Sequence, residues 1–567
     1  MGEGNLFFTA VSCAAFMALV GWISWAKTRG TADTKDGYFL AGRGRGATFI
    51  AGSLLLTNLS AEQLIGLNGS AYGYNLSSMG WEVTAAIATV AMALVFLPRY
   101  LAGAFTTLPQ FLNDRFDPTV RRMSVVLFML GYGLVTIPSV LYSGSLAVIA
   151  FFDVPTLTGL DDFSALVATV IVIGVVGSVY AVFGGLRAVA VSDTLNGVGL
   201  LIIGIAVPVF GLITLGGGDF GVGLAQLGTQ HTEKLNAIGG ADDPTPFGTL
   251  FTGMIFANLF YWCTNQYVIQ RTLGASSLAE GQKGVLFSGF FKILVPFMMM
   301  VPGVIAFHLY GPGLGSIDEA YPRLIRDVLP VWMSGFFLAV LLGAVFSSFN
   351  SLLNSAATLF TLDVYAPALK RAVSDAELVR VAKIASLVIA LASFVIAPML
   401  TFASEGLFQL IRKFTGFYNI PTIAIVMVGL FTRRVPALGA KIAIIFHVLA
   451  YALLRFVFED QVTLHFIHQY AVLFVIEVGI MLACGAIAPR AEAWEFTRHE
   501  KVDMTGWRYA KPLAGTLLSC VVATYVLFSP LGVASAGGVS GWFAPLMAVL
   551  VIGNVVIWGW GLRNKNA

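Results

Sequence analysis

The sequence predicts an all-α membrane protein that crosses the bilayer many times. Of its 567 residues only 11% are charged and 57% are hydrophobic, and so little charge cannot coat a soluble globule of this size. Windows of roughly 20 apolar residues, long enough to cross about 30 Å of hydrocarbon, recur along nearly the whole chain. Basic residues collect in alternate loops between these windows. The formal net charge of +3 gives no sign of nucleic-acid binding.

The apolar windows predict about fifteen membrane spans. Their approximate ranges are 5–26, 47–67, 78–98, 123–151, 163–183, 191–216, 248–270, 284–310, 330–362, 384–402, 406–431, 438–457, 463–488, 512–530 and 541–562.

Loop charges predict the orientation, because Lys and Arg accumulate in short loops on the cytoplasmic side. One set of alternate loops holds most of them: Lys27, Arg29, Lys35, Arg43, Arg45, Arg99, Arg115, Arg121, Arg122, Arg187, Arg271, Lys283, Lys370, Arg371, Arg433, Arg434, Arg490, Arg498, Lys501, Arg508, Arg563 and Lys565. The opposite set holds Lys234, Arg323, Arg326 and Arg455. We therefore expect an external N-terminus, a cytoplasmic C-terminus and a place in the plasma membrane, as in a bacterial inner membrane.

Two apolar segments carry an Asn-Leu pair in mid-membrane, at Asn58-Leu59 and, five spans later, at Asn258-Leu259. Polar interruptions at matching positions of two halves indicate an inverted repeat with unwound helices. The alternative is two ordinary helices, each with a buried, hydrogen-bonded Asn. The repeat hypothesis divides the chain into an extra N-terminal helix with a cytoplasmic loop (1–46), a first five-helix repeat (47–216), an outer loop (217–247), a second five-helix repeat (248–431) and extra C-terminal helices (432–567).

Charged and amide side chains inside the spans need partners or a function, because a charge near the bilayer centre costs about 2.5 to 3.5 kcal/mol on insertion scales. Glu82 and Lys292 have opposite charges and lie on different predicted helices. They either pair with each other or flank the hydroxyls of a polyol. Asn58, Gln63 and Asn258 add uncharged donors and acceptors, although such residues also serve as contacts between helices.

Ser347 and Ser348 place two adjacent hydroxyls in an apolar span. Hydroxyl and carbonyl oxygens form a hard cage without net charge, which suits sodium. The alternative is a bond from each hydroxyl to the preceding helical turn. The sequence contains no nucleophile elbow, phosphate-binding loop or metal triad, so we expect no enzyme activity.

Four strings in order resemble the sodium/solute symporter family, and most closely its sodium/glucose cotransporter branch. They are Asn58–Gly66 (NLSAEQLIG), Tyr180–Val189 (YAVFGGLRAV), Asn265–Arg271 (NQYVIQR) and Ser347–Asp363, which begins SSFNS. The resemblance runs from about Gly37 to Phe431.

This resemblance implies the five-plus-five inverted-repeat fold of the leucine-transporter type, with alternating access around a central site and Na+ as the coupling ion. The implied sodium ligands are the backbone carbonyls of Leu56, Leu59 and Ala344 and the hydroxyls of Ser347 and Ser348. The implied solute contacts are Asn58, Gln63, Glu82, Asn258 and Lys292, with Tyr261 as aromatic platform and inner gate, Trp81 and Phe408 on the outer side, and Tyr132 lining the cavity.

Some relatives carry a second sodium one turn beyond the Ser pair. The matching residues here are Asp193, Asn350 and Ser351. A carboxylate, an amide oxygen and a hydroxyl form a plausible hard site. An Asn350 to Asp193 hydrogen bond would satisfy both groups without an ion.

The sequence departs from the sugar-binding pattern at Arg412, where sugar carriers of this family place Gln. Arg412 could donate to a sugar hydroxyl, pair with Glu82 or bind a substrate carboxylate bidentately. We therefore expect a sodium-coupled importer of a small sugar or polyol that works as a monomer in the lipid bilayer. The alternatives are a sodium-coupled importer of a sugar acid such as a uronate, and a solute sensor that does not transport.

Overall fold

The structure is a computed structural model that describes residues 3–28, 46–315, 317–369, 371–402, 407–459, 461–499 and 502–563. Within these ranges the side chains of 3–6, 24–25, 27–28, 56–57, 61–62, 150–151, 180–194 and 407–410 are not described.

Helices make up most of the described chain, and its one β-type pairing is an isolated bridge between Ser277 and Asp503. In chain order the main helices are α1 (Glu3–Thr28), α2 (Ala47–Asn58), α3 (Ala61–Gly73), α4 (Leu76–Gly103), α5 (Leu108–Arg115), α6 (Pro118–Ile149), α7 (Asp162–Leu215), α8 (Phe220–Thr229), α9 (Gly253–Cys263), α10 (Gln266–Leu273), α11 (Leu278–Tyr310), α12 (Ala320–Val328), α13 (Val331–Ala368), α14 (Asp375–Phe402), α15 (Leu407–Phe431), α16 (Ala437–Phe456), α17 (Phe466–Ile487), α18 (Ala510–Leu527) and α19 (Phe543–Arg563).

Twelve helical segments of the described chain are long and apolar enough to cross a membrane, and α7 supplies two of them, Asp162–Val179 and Leu195–Leu215. The predicted count of about fifteen is not confirmed. The difference lies in the two predicted spans that are broken into the short pairs α2/α3 and α9/α10, and in α1, a helix of 26 residues whose side chains are described without a gap only from Phe7 to Ile23. Neither piece of a broken span is long enough to cross alone.

The first break lies where the sequence placed it. Helix α2 ends at Asn58, α3 begins at Ala61, and Leu59 and Ser60 between them have non-helical backbone angles. The second break was predicted at Asn258-Leu259, and this position was wrong. The break lies about two turns later along the chain. Asn258 is inside α9, where its amide donates to the Thr84 hydroxyl at 2.9 Å.

Helix α9 instead ends at Cys263, and the break consists of Thr264 and Asn265. The Phe260 carbonyl accepts from both of their N–H groups, and Asn265 is extended at φ −70°, ψ 119°. Its carbonyl then accepts from Val268 and Ile269 and begins α10. Asn is suited to such a junction because its side chain can replace a backbone hydrogen-bond partner.

Helix α13 is the centre of the bundle, and every residue from Phe337 to Leu341 and from Gly343 to Leu359 is buried. It packs against α1, α2, α6, α7, α10 and α14. Small residues allow the close approach of helices in a membrane. A Cβ at Gly335 would lie only 2.7 Å from the Thr9 carbonyl oxygen, and one at Gly343 would clash with Asn196.

Two basic residues that were counted as loop charges are buried, which corrects their assignment. Arg115 donates to the carbonyls of Gly429 and Val435 at 2.9 and 3.1 Å, and so binds backbone acceptors at the C-terminal end of α15. Arg271 lies within α10, is 1% exposed and donates to the Ser53 carbonyl. Neither residue therefore counts as evidence for the orientation of the chain in the membrane, and the placement of the termini stays a prediction.

Candidate solute and cation site

A cavity of about 50 Å³ lies where the two helix breaks meet α6, α13 and α15. Pockets for small molecules usually have about 300 to 1,000 Å³, so the cavity is compact in this conformation. It is lined by Asn58, Ser60, Gln63, Thr136, Val140, Phe260, Tyr261, Asn265, Tyr267, Ser348, Leu352, Ile411, Arg412, Thr415, Tyr418 and Asn419.

Five lining residues have a buried side-chain oxygen with no hydrogen-bond partner among the described residues. The atoms are Asn58 Oδ1, Ser60 Oγ, Gln63 Oε1, Ser348 Oγ and Asn419 Oδ1. An unsatisfied buried polar group costs about 1 to 3 kcal/mol, and five of them around one cavity are too many for an ordinary core. Such a set of hard oxygens can coordinate a monovalent cation or accept hydrogen bonds from hydroxyl groups.

The serine pair on α13 does not make the usual bond to the preceding turn. Neither the Ser347 nor the Ser348 hydroxyl has a partner in the described part of the chain, whereas the Ser351 hydroxyl donates to the Ser347 carbonyl. The alternative of two back-bonded serines is therefore wrong. Ser348 lines the central cavity, while Ser347 faces a smaller one of about 20 Å³ with Asn196 and Asn350.

The backbone groups expected to hold sodium lie on two helices that pack together, α2 and α13. Leu56 lies in the last turn of α2, and Leu59 follows it at the break. The carbonyls of a last helical turn have no partner within their helix. Ala344 is fully buried on α13, one turn before Ser348.

The residues suggested for a second sodium are less favourably arranged. Asn350 Oδ1 is buried without a partner in the region described, but the side chain of Asp193 lies outside the described residues. Ser351 Oγ accepts a hydrogen bond from the Arg271 guanidinium. A fixed positive charge in contact with Ser351 disfavours a cation at that oxygen.

Glu82 and Lys292 form a buried ion pair, which is one of the two alternatives that their opposite charges left open. Their side chains are 2% and 3% exposed, and the Lys292 ammonium also lies 5.9 Å from the centre of the Trp262 ring. Neither residue lines the central cavity, and nor does Asn258. Glu82 lies on α4, against which α9 with Asn258 and α11 with Lys292 both pack, and we call these three residues the polar cluster.

Arg412 reaches from the cavity wall towards that cluster. Its guanidinium carbon lies 4.5 Å from the centre of the Trp81 ring, a cation–π arrangement. Arg412, Thr415 and Asn419 all line the cavity and follow helical spacing on α15. Thr415, Tyr418 and Asn419 were not among the predicted site residues, although polar residues at helical spacing after Arg412 indicate one face of a helix. The Phe408 side chain lies outside the described residues.

Tyrosines close the cavity at the second break. The Tyr267 hydroxyl donates to that of Tyr261 at 2.7 Å, and both residues line the cavity. Tyr132 is fully buried behind them, and it is not among the lining residues. Its hydroxyl donates to Asn265 Oδ1 and accepts from the Tyr267 N–H at 3.3 Å. Tyr132 therefore holds the break in shape.

Helices α16 and α17 hold the backbone of α15. Tyr470 donates to the Arg412 carbonyl at 2.8 Å, and Tyr451 donates to the Lys413 carbonyl at 2.9 Å. His447 Nε2 lies 3.0 Å from the Gly416 carbonyl, and its Nδ1 contacts Glu477. A carbonyl only accepts, so Nε2 carries a proton. These contacts position the helix that presents Arg412.

Discontinuous helices around a central polar cavity are the architecture of secondary transporters. The fold matches that of a Na+-coupled sialic acid symporter solved in its substrate-bound outward-open state. The TM-score is 0.74 at 21% identity, and the match covers 86% of this chain and 99% of that chain. The protein is an all-α polytopic membrane transporter of the five-plus-five inverted-repeat, leucine-transporter type.

The sequence profile of the sodium:solute symporter family matches residues 38–446, and the chain belongs to that family. It is 43% identical over 562 residues to the uncharacterized symporter YidK of Escherichia coli (strain K12), which covers 98% of this chain and 97% of that protein. It is also 31% identical over 463 residues to the sodium/glucose cotransporter of Vibrio parahaemolyticus, covering 78% and 83%. The protein is a sodium-coupled solute symporter in a membrane.

Proposed function

We propose that the protein imports a small sugar or polyol together with sodium by alternating access. The observation that carries this proposal is the group of five unpartnered oxygens around a cavity at the helix break. Hydroxyl-rich solutes and sodium both need several oxygen or amide partners at once. The resemblance to a sodium/glucose cotransporter supports the same solute class.

Sodium in this proposal is held between α2 and α13. The ligands are the carbonyls of Leu56, Leu59 and Ala344 with the hydroxyls of Ser347 and Ser348. The unpartnered serine hydroxyls support this assignment, because a hydroxyl bound to its own helix would have less capacity for an ion. All five groups are uncharged, which suits a monovalent ion.

Solute in this proposal binds beside the sodium, against Asn58, Gln63, Tyr261 and Arg412, which line the cavity. A cavity of about 50 Å³ is too small for a hexose, so solute entry needs the gate to open. The hydrogen bond between Tyr261 and Tyr267 closes one side of the cavity, and breaking it would widen the site. Such opening is the movement that alternating access requires.

Uptake into proteoliposomes tests the proposal. With an inward sodium gradient, a labelled hexose or polyol from a panel should accumulate above its external concentration, and the same vesicles in choline should only equilibrate. Saturable binding without accumulation, for every solute in the panel, would show a sensor instead.

We further propose an external N-terminus and a cytoplasmic C-terminus, which reporter fusions at each end would test.

A sugar acid is the second candidate solute, and the position of Arg412 favours it. Arg412 lines the cavity, and sugar carriers of this family place Gln there. A guanidinium group can bind a carboxylate bidentately, as a uronate would require.

The neutral variant Arg412→Gln separates the two solutes. For a uronate carrier it should raise the KM for the acid by about 10- to 100-fold, since hydrogen bonds to charged groups contribute about 1.5 to 3 kcal/mol. For a hexose carrier it should leave sugar uptake nearly unchanged. The matched control is Lys413→Gln, because the Lys413 ammonium points to Glu459 at 2.8 Å. Equal loss in both variants would refute a carboxylate contact at Arg412.

A further inference from the structure

A second and much larger cavity, of about 1,090 Å³, lies at the ends of the spanning helices and away from the central site. We call it the basic cavity. It is lined by Pro98, Arg99, Ala102, Leu278, Leu430, Phe431, Thr432, Arg433, Trp494, Glu495, Phe496, Arg498, His499, Val502 and Met504.

The roof of the basic cavity is the extended segment 494–499, which is fixed to the helix ends. The Trp494 N–H donates to the Arg433 carbonyl at 2.8 Å, and the His499 N–H donates to the Ala102 carbonyl at 2.7 Å. The Trp494 ring packs against Phe111 with ring centres 6.2 Å apart. These contacts join the segment to α4, α5 and the end of α15, so the cavity is a built feature of the fold.

The charge in the basic cavity is strongly positive. Arg99, Arg433 and Arg498 line it against one acidic side chain, Glu495. Arg433 and Arg498 are exposed, and Arg99 is partly buried with its guanidinium 5.3 Å from the Phe431 ring. Guanidinium groups bind phosphate oxygens bidentately, so a phosphate is the anion that this set fits best.

Apolar side chains also line this cavity, next to the ends of two spanning helices. Helix α4 ends at Gly103 and α15 at Phe431, and the Phe431 side chain is 53% exposed. Leu430, Phe496 and Met504 continue this apolar surface. A soluble anion would use the arginines alone, whereas a lipid would use both the arginines and the apolar wall.

We propose that the basic cavity binds an anionic phospholipid, with the phosphate on Arg433 and Arg498 and an acyl chain along Phe431. In the orientation proposed above the basic cavity lies on the cytoplasmic side, where basic pockets between helices bind anionic headgroups. The bound lipid joins α4 and the end of α15 to the segment after α17.

Binding of phosphatidylglycerol to the purified full-length protein, counted by native mass spectrometry, tests the proposal. The double variant R433Q/R498Q should bind this lipid about 25-fold more weakly, because each basic residue near a lipid surface contributes about fivefold. The control R122Q/R380Q, which neutralises two exposed arginines outside the cavity, should change binding less than about twofold. Phosphatidylcholine should bind weakly to all three proteins.

Competition with inorganic phosphate distinguishes the source of the phosphate group. Millimolar phosphate should not displace the lipid if the apolar wall contributes to binding. Displacement at that concentration, equal binding of the two lipids, or unchanged binding in R433Q/R498Q would each overturn the proposal. Unchanged melting temperatures in lipid-free detergent would show that the variants are folded.

Discussion

Ser348→Ala should weaken sodium binding without destabilising the sodium-free protein. The Ser348 hydroxyl is 2% exposed and has no partner in the described chain, so its removal leaves no other group unsatisfied. As a sodium ligand it should contribute about 1.5 kcal/mol, the lower end for interactions with charged groups, which corresponds to about tenfold in Kd.

Thermal unfolding in sodium and in choline measures this effect directly. At a sodium concentration 100 times the wild-type Kd, sodium stabilises the folded protein by about 2.7 kcal/mol, and a tenfold weaker Kd reduces this to about 1.4 kcal/mol. The sodium-induced shift in melting temperature should therefore fall to about half. In choline the variant should melt at or slightly above the wild-type temperature.

Ser393→Ala is the matched control. Ser393 is fully buried in α14, and its hydroxyl donates to the Ile389 carbonyl at 2.9 Å in the ordinary way. This variant should keep the full sodium-induced shift. If Ser348→Ala also keeps it, and sodium-dependent uptake follows the wild-type curve, the proposed cation site is refuted.

Gln63→Ala should raise the KM for solute about tenfold with folding intact, because a sugar hydroxyl loses its partner, and unchanged uptake kinetics would exclude this contact. Lys292→Met alone should cost about 3 to 5 kcal/mol of stability by leaving Glu82 as an unpaired buried carboxylate, whereas Glu82→Gln/Lys292→Met should recover most of it in thermal unfolding. Arg271 brings a positive charge to the proposed second cation site, so reversal-potential measurements should give one sodium ion per solute molecule. A measured ratio of two sodium ions per solute would contradict this prediction. Burial first, and then neighbouring positive charges, lower the pKa of His465 from 6.5 to about 4. The unfolded chain therefore binds the His465 proton more tightly than the folded protein does. The free energy of unfolding should be highest above pH 6.5 and should decrease towards pH 4, and His465→Asn should remove this pH dependence.

Of the two helix breaks, one was predicted correctly from local sequence and the other was not. The first break was predicted at Asn58-Leu59, where polar residues interrupt an apolar run, and the structure has it there. The second was assigned to Asn258 by analogy but occurs at Asn265. Asn258 stands between Ala257 and Leu259, whereas Asn265 stands between Thr264 and Gln266, so the polar run is at the second position. Thr84 satisfies Asn258 within a helix, while Tyr132 satisfies Asn265 at a break.

The sequence alone determined that the chain is a polytopic helical membrane protein, because its hydropathy and low charge leave no other solvent than lipid. It also singled out Glu82, Lys292 and the two serines as candidates, since polar groups in apolar spans are few, but it left open whether Glu82 and Lys292 pair with each other. Only the tertiary structure decided which of these groups share a cavity. It separated Glu82, Lys292 and Asn258 from the cavity lining, added Thr415 and Asn419, and buried Arg271 against Ser351. These outcomes depend on how helices distant in sequence pack, and hydropathy along one helix does not contain that information.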